Sequence, residues 1–189
     1  LLLMLLLALL APWAANAQQS LPYSYGFEDN DLSADGWTTT VTSSSSGISS
    51  NAVKTGSYGF TFNYSENGTC LVSPLLNGTS NGVVVSFYYK EYSSSYGDEQ
   101  FYVGYTTDES NTDPTTYTYG QIVTASTSWQ RYEATFPANT KRVAVKYVYN
   151  DAFYLFLDDF TFEAPASCIK PSGLTATLTP GNGSIATLI

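Results

Sequence analysis

The sequence contains no histidine among its 189 residues. Histidine is the most common general base in enzymes and the most common metal ligand in proteins. Its absence excludes His-based catalytic triads and His-ligated zinc centres. The adjacent acidic residues Asp98 and Glu99, and Asp108 and Glu109, lie among turn-forming residues, where we expect plain solvation rather than catalysis. We therefore predict that the chain is not an enzyme.

Basic residues are also scarce. The chain has 7 Lys and Arg against 16 Asp and Glu, which gives a formal net charge of −9. Nucleic acids and anionic membranes bind to basic surfaces, so neither is an expected partner. Divalent cations are the natural partners of an acidic surface.

Cysteine occurs only twice, at Cys70 and Cys168. In an oxidising compartment the two residues could form a disulfide. The alternative is that Cys70 is a small buried side chain and that Cys168 pairs elsewhere or not at all. The sequence leaves both possibilities open.

A long apolar run occurs only at the start of the chain. Residues 1–10 are almost all apolar, and Ala15, Asn16 and Ala17 form a small-x-small cleavage pattern. The run is too short for a comfortable membrane span, and no second run approaches that length. We predict a signal peptide over residues 1–17, truncated at its N-terminus because it opens with Leu1 and has no basic residue. The mature protein is then secreted or held at the cell surface, without a transmembrane segment.

Alternating apolar and polar residues recur in short runs, the pattern of half-buried strands. No window of eleven residues shows a helical period. We therefore predict an all-β fold of two packed antiparallel sheets. The predicted strands are 59–64, 69–72, 83–90, 100–107, 130–136, 142–149 and 153–162.

The segments between the strands are rich in Ser, Thr, Asp, Asn and Gly, which is typical of surface loops. Residues 42–50 are almost all serine. Loops on a rigid sandwich concentrate ligand contacts, so the tyrosines in or beside loops are candidate binding residues. They are Tyr92, Tyr96, Tyr117 and Tyr119. Trp37 and Trp129 could also stack on a ligand, although we expect both to pack in the core.

The strand pattern breaks at residues 164–167 and restarts after Cys168. A Gly-rich turn and a fresh apolar segment follow there. We expect one complete domain over residues 18–165. Residues 166–189 are expected to be a linker and the truncated start of a second, incomplete β-sandwich.

Several local patterns occur in one order along the chain: YGFED at residues 25–29 with Trp37 soon after, LVSPL at 71–75, and YLFLDDFTF at 154–162. Together they resemble the cleaved-adhesin and MAM-like jelly-roll family of exported bacterial surface proteins. The tail from Cys168 is similar to the opening of a fibronectin type III domain. The resemblance implies a non-catalytic jelly roll that holds structural calcium and contributes to adhesion or to glycan or protein binding.

From this resemblance we predict an extracellular adhesion module that binds a glycan or a host or matrix protein. Two alternatives remain open. The chain could be an accessory domain of a secreted protease or glycoside hydrolase, or it could be a structural spacer.

Glu28 and Asp158 match the family's carboxylate pattern best, and they are the predicted calcium ligands. The first and last strands of a jelly roll tend to be neighbours, so the two carboxylates can meet. Calcium takes six to eight oxygen ligands. Asp158 also lies within an apolar run, where a buried charge needs a partner.

Asp29 and Asp31 are possible supplementary calcium ligands. Asp159 is another, but in a regular strand it would point to the opposite face from Asp158. The competing interpretation is that Glu28 and Asp29 cap a turn, while Asp158 and Asp159 are solvated charges at a strand end.

Overall fold

The computed structural model describes residues 18–149 and 153–166. The predicted signal peptide, Cys168 and almost all of the predicted second domain lie outside these residues. Within the described part, no helix is long and apolar enough to cross a membrane.

The described residues form short antiparallel strands, as the alternation predicts. The strands are β1 (Gln18–Ser20), β2 (Tyr23–Tyr25), β3 (Thr38–Thr39), β4 (Gly47–Ser49), β5 (Gly59–Asn63), β6 (Cys70–Val72), β7 (Leu75–Asn77), β8 (Val83–Glu91), β9 (Gln100–Thr106), β10 (Thr118–Tyr119), β11 (Val123–Thr124), β12 (Gln130–Phe136), β13 (Arg142–Val148) and β14 (Tyr154–Glu163). A single 3-10 turn spans Pro114–Thr116 within the same described residues.

These strands make two packed sheets, and the predicted jelly-roll sandwich is confirmed. The front sheet has the order β12-β8-β14-β5-β4, with β2 also paired to β14. The back sheet has the order β10-β9-β13-β6-β3, with β11 also paired to β9. Strand β1 pairs in parallel with β7.

The core between the sheets is aromatic. Along β8 the inward positions Val85, Phe87 and Tyr89 are buried, and the Phe87 ring stacks on Phe160 with centroids 4.5 Å apart. Each large apolar side chain that is fully buried contributes roughly 1.5–3 kcal/mol. Because alternate residues of a strand point to opposite faces, burial of one set turns the other set outward. Several of the outward residues line the candidate groove described below.

Strand β14 is irregular at Asp158 and Asp159. On one side it pairs with β5 up to Leu157, and then with β2 from Phe160 onward. The register against β8 shifts over the same positions, and Asp159 has a φ of 53°. This bulge leaves the two aspartates in the gap between β5 and β2.

The long strands and the three-residue β6 lie close to their predicted bounds, whereas the other strands of two or three residues were not predicted. Strand β4 is the most important strand that was not predicted, because it lies inside the serine-rich segment that we expected to be a loop. Strands of two or three residues are too short to show a period. Their pairing with a neighbouring strand defines them instead.

Candidate functional site

The carboxylates of Asp158 and Asp159 lie together beside Gly26, just after the end of β2, and the side chain of Glu28 passes next to them. A Cβ atom on Gly26 would lie 3.6 Å from Oδ1 of Asp159 and 3.9 Å from Oδ1 of Asp158. It would lie 4.0 Å from Cγ of Glu28. The structure thus brings Glu28 and Asp158 together, and Asp159 with them.

Asp158 is fully buried, with 0% of its surface exposed. Its Oδ2 accepts hydrogen bonds from the backbone N–H groups of Lys54 (2.7 Å) and Thr55 (3.1 Å). Desolvation nevertheless raises the pKa of Asp158 to about 6, and the neighbouring negative charge of Asp159 adds to the rise. No described Lys or Arg forms an ion pair with this carboxylate. The competing interpretation, a solvated charge at a strand end, therefore does not hold for Asp158.

Glu28 binds the other end of the loop to which Lys54 and Thr55 belong. Its carboxylate accepts hydrogen bonds from the backbone N–H groups of Ser57 (2.9 Å) and Tyr58 (3.1 Å). Unlike Asp158, Glu28 is exposed. We call residues 54–58 the amide loop, because its backbone N–H groups are what the two carboxylates bind.

The orientation of Asp159 differs from the expectation for a regular strand. The bulge and the positive φ turn its carboxylate toward the same space as that of Asp158. The hydroxyl of Thr55 donates to Asp159 Oδ1 at 2.6 Å. A local break in the strand therefore places two adjacent carboxylates on one side.

The supplementary candidates Asp29 and Asp31 bond within their own turn. Asp29 Oδ1 accepts from the Tyr25 hydroxyl at 2.8 Å and from the N–H of Asp31 at 3.2 Å. Asp31 Oδ1 accepts from the N–H and hydroxyl of Ser33. These contacts match the turn-capping interpretation of Asp29.

The donors beside Gly26 fit calcium in kind. They are hard carboxylate oxygens, and Oδ1 of Asp158 and Oδ1 of Asp159 both lie within 4 Å of the position that a Cβ on Gly26 would take. No three His, Cys, Asp or Glu residues in the described ranges are arranged to hold a metal ion. A calcium ion here would therefore take fewer than three carboxylates, with backbone carbonyls and water as its other ligands.

A second feature is an open groove of about 680 Å³ on the outer face of the front sheet. One wall is the serine segment, residues 44–49, which includes β4. The floor is formed by outward side chains of the sheet, Thr61, Lys90 and Phe156. The opposite wall is aromatic and contains Tyr92, Phe153 and Tyr154.

The aromatic wall continues as an exposed cluster around Phe153. The rings of Tyr64 and Tyr96 stack on Phe153, with centroids 5.7 and 5.3 Å away. Tyr92 also contacts Phe153 at 5.7 Å. Tyr64, Tyr92 and Tyr96 are 47%, 57% and 54% exposed, although such rings usually bury much of their surface. Of the four predicted binding tyrosines, Tyr92 thus lines the groove and Tyr96 adjoins it by stacking on Phe153.

Hydrogen bonds to Glu66 and Asn63 hold the serine wall in place. Glu66 is buried, and its carboxylate accepts hydrogen bonds from the backbone N–H groups of Thr42 (3.0 Å) and Ser43. Farther along, the Ser46 hydroxyl accepts from the N–H of Asn63 at 3.0 Å. A segment without an apolar run is therefore ordered by main-chain contacts.

Lys90 is the charged side chain of the groove. Its Nζ lies 5.1 Å from the Trp129 ring centroid and 5.6 Å from that of Phe156. Trp129 is therefore a partly exposed surface residue, whereas Trp37 is buried in the core, as expected.

The other two predicted binding tyrosines, Tyr117 and Tyr119, lie on the back sheet. Tyr117 is buried, and its hydroxyl donates to the Asn111 carbonyl at 3.2 Å. Tyr119 donates to the Pro114 carbonyl at 2.7 Å and packs beside the buried thiol of Cys70. This packing does not support the predicted ligand contacts.

Glu99 is buried, contrary to the solvation expected for its loop. It is 1% exposed, and the Tyr147 hydroxyl donates to its Oε2 at 2.6 Å. Oε1 has no hydrogen-bond partner among the described residues. Desolvation raises the pKa of Glu99 to about 7. The neighbouring Glu91 is also buried, and its carboxylate accepts the Glu99 N–H at 3.3 Å.

Sequence reasoning did not identify Phe153, Phe156 or Lys90 as site residues. A usable signal was present at Phe156 and Lys90, because both occupy outward positions of predicted strands. Phe156 itself is only 4% exposed, because the rings of Tyr92 and Tyr154 pack against it.

No protein-family model matches the sequence, and no curated protein is similar enough in sequence to be a relative. Solved structures do share the fold. The K1 cleaved adhesin domain of Lys-gingipain from Porphyromonas gingivalis W83 matches with a TM-score of 0.64 and 19% identity, over 77% of this chain and 99% of that domain. The K2 cleaved adhesin domain of Lys-gingipain matches at 0.60 and 21% identity, over 75% and 98%.

A carbohydrate-binding module, TmCBM61 in complex with beta-1,4-galactotriose, matches with a TM-score of 0.53 and 15% identity, over 74% of this chain and 94% of that one. At these identities the likeness concerns the fold. The chain therefore has a cleaved-adhesin-like jelly-roll fold, which carbohydrate-binding modules share.

Proposed function

We propose that this chain is a non-catalytic extracellular module that binds a glycan in the groove on its front sheet. The observation that carries the proposal is an open groove lined by the exposed Tyr92, the half-buried Phe153 and Tyr154, and the serine segment. Solvent-exposed aromatic clusters of this kind are uncommon unless they contact a partner.

The two walls offer the contacts that a sugar needs. Aromatic rings pack against the apolar C–H faces of a sugar ring, and Tyr92 and Tyr96 each expose more than half of their surface. Serine hydroxyls and backbone groups of the opposite wall can bind sugar hydroxyls. Apolar surface with a few polar groups is the usual composition of a ligand site.

The fold and the predicted signal peptide support the extracellular part of the proposal. Proteins with this fold include adhesin domains and a module solved with a bound galactotriose. The predicted signal peptide over residues 1–17 independently favours export.

We further propose that calcium binds beside Gly26 and stabilises the module without taking part in glycan binding. Support comes from the buried, unpaired Asp158 and the neighbouring carboxylates of Asp159 and Glu28. When bound, the ion would neutralise their mutual repulsion and fix the amide loop to the bulge of β14.

A glycan array tests the binding function. The wild-type protein is expected to bind a defined set of glycans, and Tyr92→Ala and Phe156→Ala are each expected to weaken that binding by at least about ten-fold. Tyr102→Ala is the matched control, because Tyr102 is a partly exposed tyrosine of the back sheet. Silence of the wild-type protein across the array would favour a structural spacer, and equal losses in all three variants would place the site elsewhere.

A further inference from the structure

The groove has an unusual charge for this chain. Among the described residues that line it, Lys90 is the charged side chain and none is a carboxylate. In the chain as a whole, acidic residues outnumber basic ones by 16 to 7. An acidic protein therefore presents a locally positive groove.

A second lysine lies on the same face of the front sheet. The Nζ of Lys54 is 4.8 Å from the Tyr88 ring centroid. Tyr88 and Lys90 are two positions apart on β8, so both point outward and are separated by roughly 7 Å along the strand. Lys54, Tyr88 and Lys90 therefore form a cationic and aromatic stripe beside the groove.

Neither lysine forms an ion pair with a carboxylate of the described residues. Each is held over aromatic rings instead. An ammonium group has three N–H donors, and a cation–π contact leaves donors available. Lys90 is also half-buried, so its position is fixed before a ligand arrives.

We propose that the groove selects acidic glycans, with the Lys90 ammonium bonded to a carboxylate or sulfate group of the sugar chain. This inference rests on the proposed glycan-binding function. A neutral sugar offers Lys90 only hydroxyl oxygens, whereas an anionic group forms a shorter and stronger charge-assisted hydrogen bond. Lysine acts as a point charge, so carboxylate and sulfate share the chemistry it recognises.

The net charge of −9 does not oppose this selection at the groove. Charges on the surface are screened beyond about 8 Å at physiological ionic strength. Glu91, the carboxylate next to Lys90 in sequence, points into the interior and is 4% exposed.

Matched charged and neutral sugars test the inference by calorimetry at low salt. Trigalacturonate is compared with its methyl ester, which keeps the backbone and removes the charge, and dextran sulfate is compared with dextran. We expect the charged member of at least one pair to bind about ten-fold tighter or more. The pair that shows the preference identifies the anionic group, and added salt should reduce the preference.

Three variants assign the preference to one side chain. Lys90→Gln should abolish it, and Lys90→Arg should retain it because the charge is kept. Lys146→Gln is the matched control, since the Nζ of Lys146 lies over the Tyr119 ring at 5.4 Å on the back sheet. It should leave the preference unchanged.

Two outcomes overturn the inference and are distinguishable from each other. Equal binding of charged and neutral members, or a preference that survives Lys90→Gln, overturns acidic selection and leaves glycan binding intact. Absence of binding to these sugars and to every glycan of the array overturns the proposed function together with this inference.

Discussion

Asp158 and Glu28 divide the backbone N–H groups of one loop between them. Asp158 accepts from the first two residues of the amide loop, and Glu28 accepts from the last two. The two carboxylates are 130 positions apart in the sequence and belong to opposite ends of the domain. The loop therefore closes only when the first and last strands of the sandwich are in place.

Calcium bound beside Gly26 should stabilise the folded protein. An ion at about 100 times its Kd adds about 2.7 kcal/mol, which raises Tm by roughly 5–10 °C for a domain of this size. Gly26→Ala should remove this shift, because its Cβ would lie against the carboxylate oxygens of Asp159 and Asp158, at ordinary contact distances of 3.6 and 3.9 Å. Thermal unfolding with calcium and with chelator measures both effects.

Gly120→Ala is the control for that experiment. A Cβ at Gly120 also meets its neighbour at an ordinary distance, 3.6 Å from the Val103 carbonyl oxygen, on the back sheet. It should keep the full calcium shift, and Asp158→Asn should lose it. Identical curves for the wild type with and without calcium would contradict the proposed site.

Glu99 should make the protein less stable as the pH rises. Its pKa is raised from 4.5 to about 7 by burial, so the folded state binds more protons than the unfolded state in that range. The free energy of unfolding is therefore highest below pH 4.5 with respect to this group and falls as pH rises through 7. The expected loss between pH 5 and pH 8 is on the order of 2 kcal/mol.

Glu99→Gln should flatten this pH dependence and keep the hydrogen bond from Tyr147. Urea unfolding in the presence of chelator at several pH values measures the difference, and chelator separates it from calcium binding. Asp158, with a pKa of about 6, leaves a smaller dependence of the same sign. The exposed Glu133 supplies the control Glu133→Gln, for which a curve like that of the wild type is expected.

Glu66→Ala should disorder the serine wall of the groove. The variant leaves the N–H groups of Thr42 and Ser43 without their acceptor, at a cost of about 1–3 kcal/mol in the free energy of unfolding. Hydrogen exchange of residues 42–49 should accelerate, and glycan affinity should fall although Glu66 is buried beneath the wall. Unchanged exchange would show that β4 holds the wall without Glu66.

Glu109→Ala is the matched control for Glu66→Ala. Glu109 is exposed and pairs with Lys141 at 3.4 Å, and a surface ion pair contributes less than about 1 kcal/mol. Neither exchange of residues 42–49 nor glycan affinity should change.

Phe87→Ala should cost about 3–5 kcal/mol in the free energy of unfolding. Phe87 is fully buried and stacks on Phe160 and on Tyr132, with centroids 4.5 and 4.9 Å away. Ile122→Ala, at a residue that is 42% exposed, should change stability by less than about 0.5 kcal/mol. The shift of the urea midpoint at constant slope gives both values.

The long strands could be predicted because alternation is a local property of the sequence. Strand β12 has its predicted bounds, and β8 extends one residue beyond them. The burial of Asp158 was also expected in part, because apolar residues flank it. The orientation of Asp159 could not be predicted, since the bulge depends on the change of partner from β5 to β2.

The groove could not be predicted for the same reason. Lys90, Phe156 and the serine wall come from three separate parts of the chain, and pairing of β8, β14, β5 and β4 brings them together. Sequence reasoning found Tyr92 and Tyr96 because they lie in a polar loop. It selected Tyr117 and Tyr119 by the same criterion, although packing on the back sheet covers the first and partly covers the second.

Backbone N–H groups bind the amide loop to Asp158 and Glu28. The side chains of the loop take no part in these hydrogen bonds. Side chains at Lys54 and Ser57 can be exchanged without removing a hydrogen bond to Asp158 or Glu28, because the donors are backbone N–H groups. Natural variation or laboratory randomisation at these positions can therefore alter the charge beside the groove on a constant scaffold. The loop is a suitable place to change ligand preference while the framework stays intact.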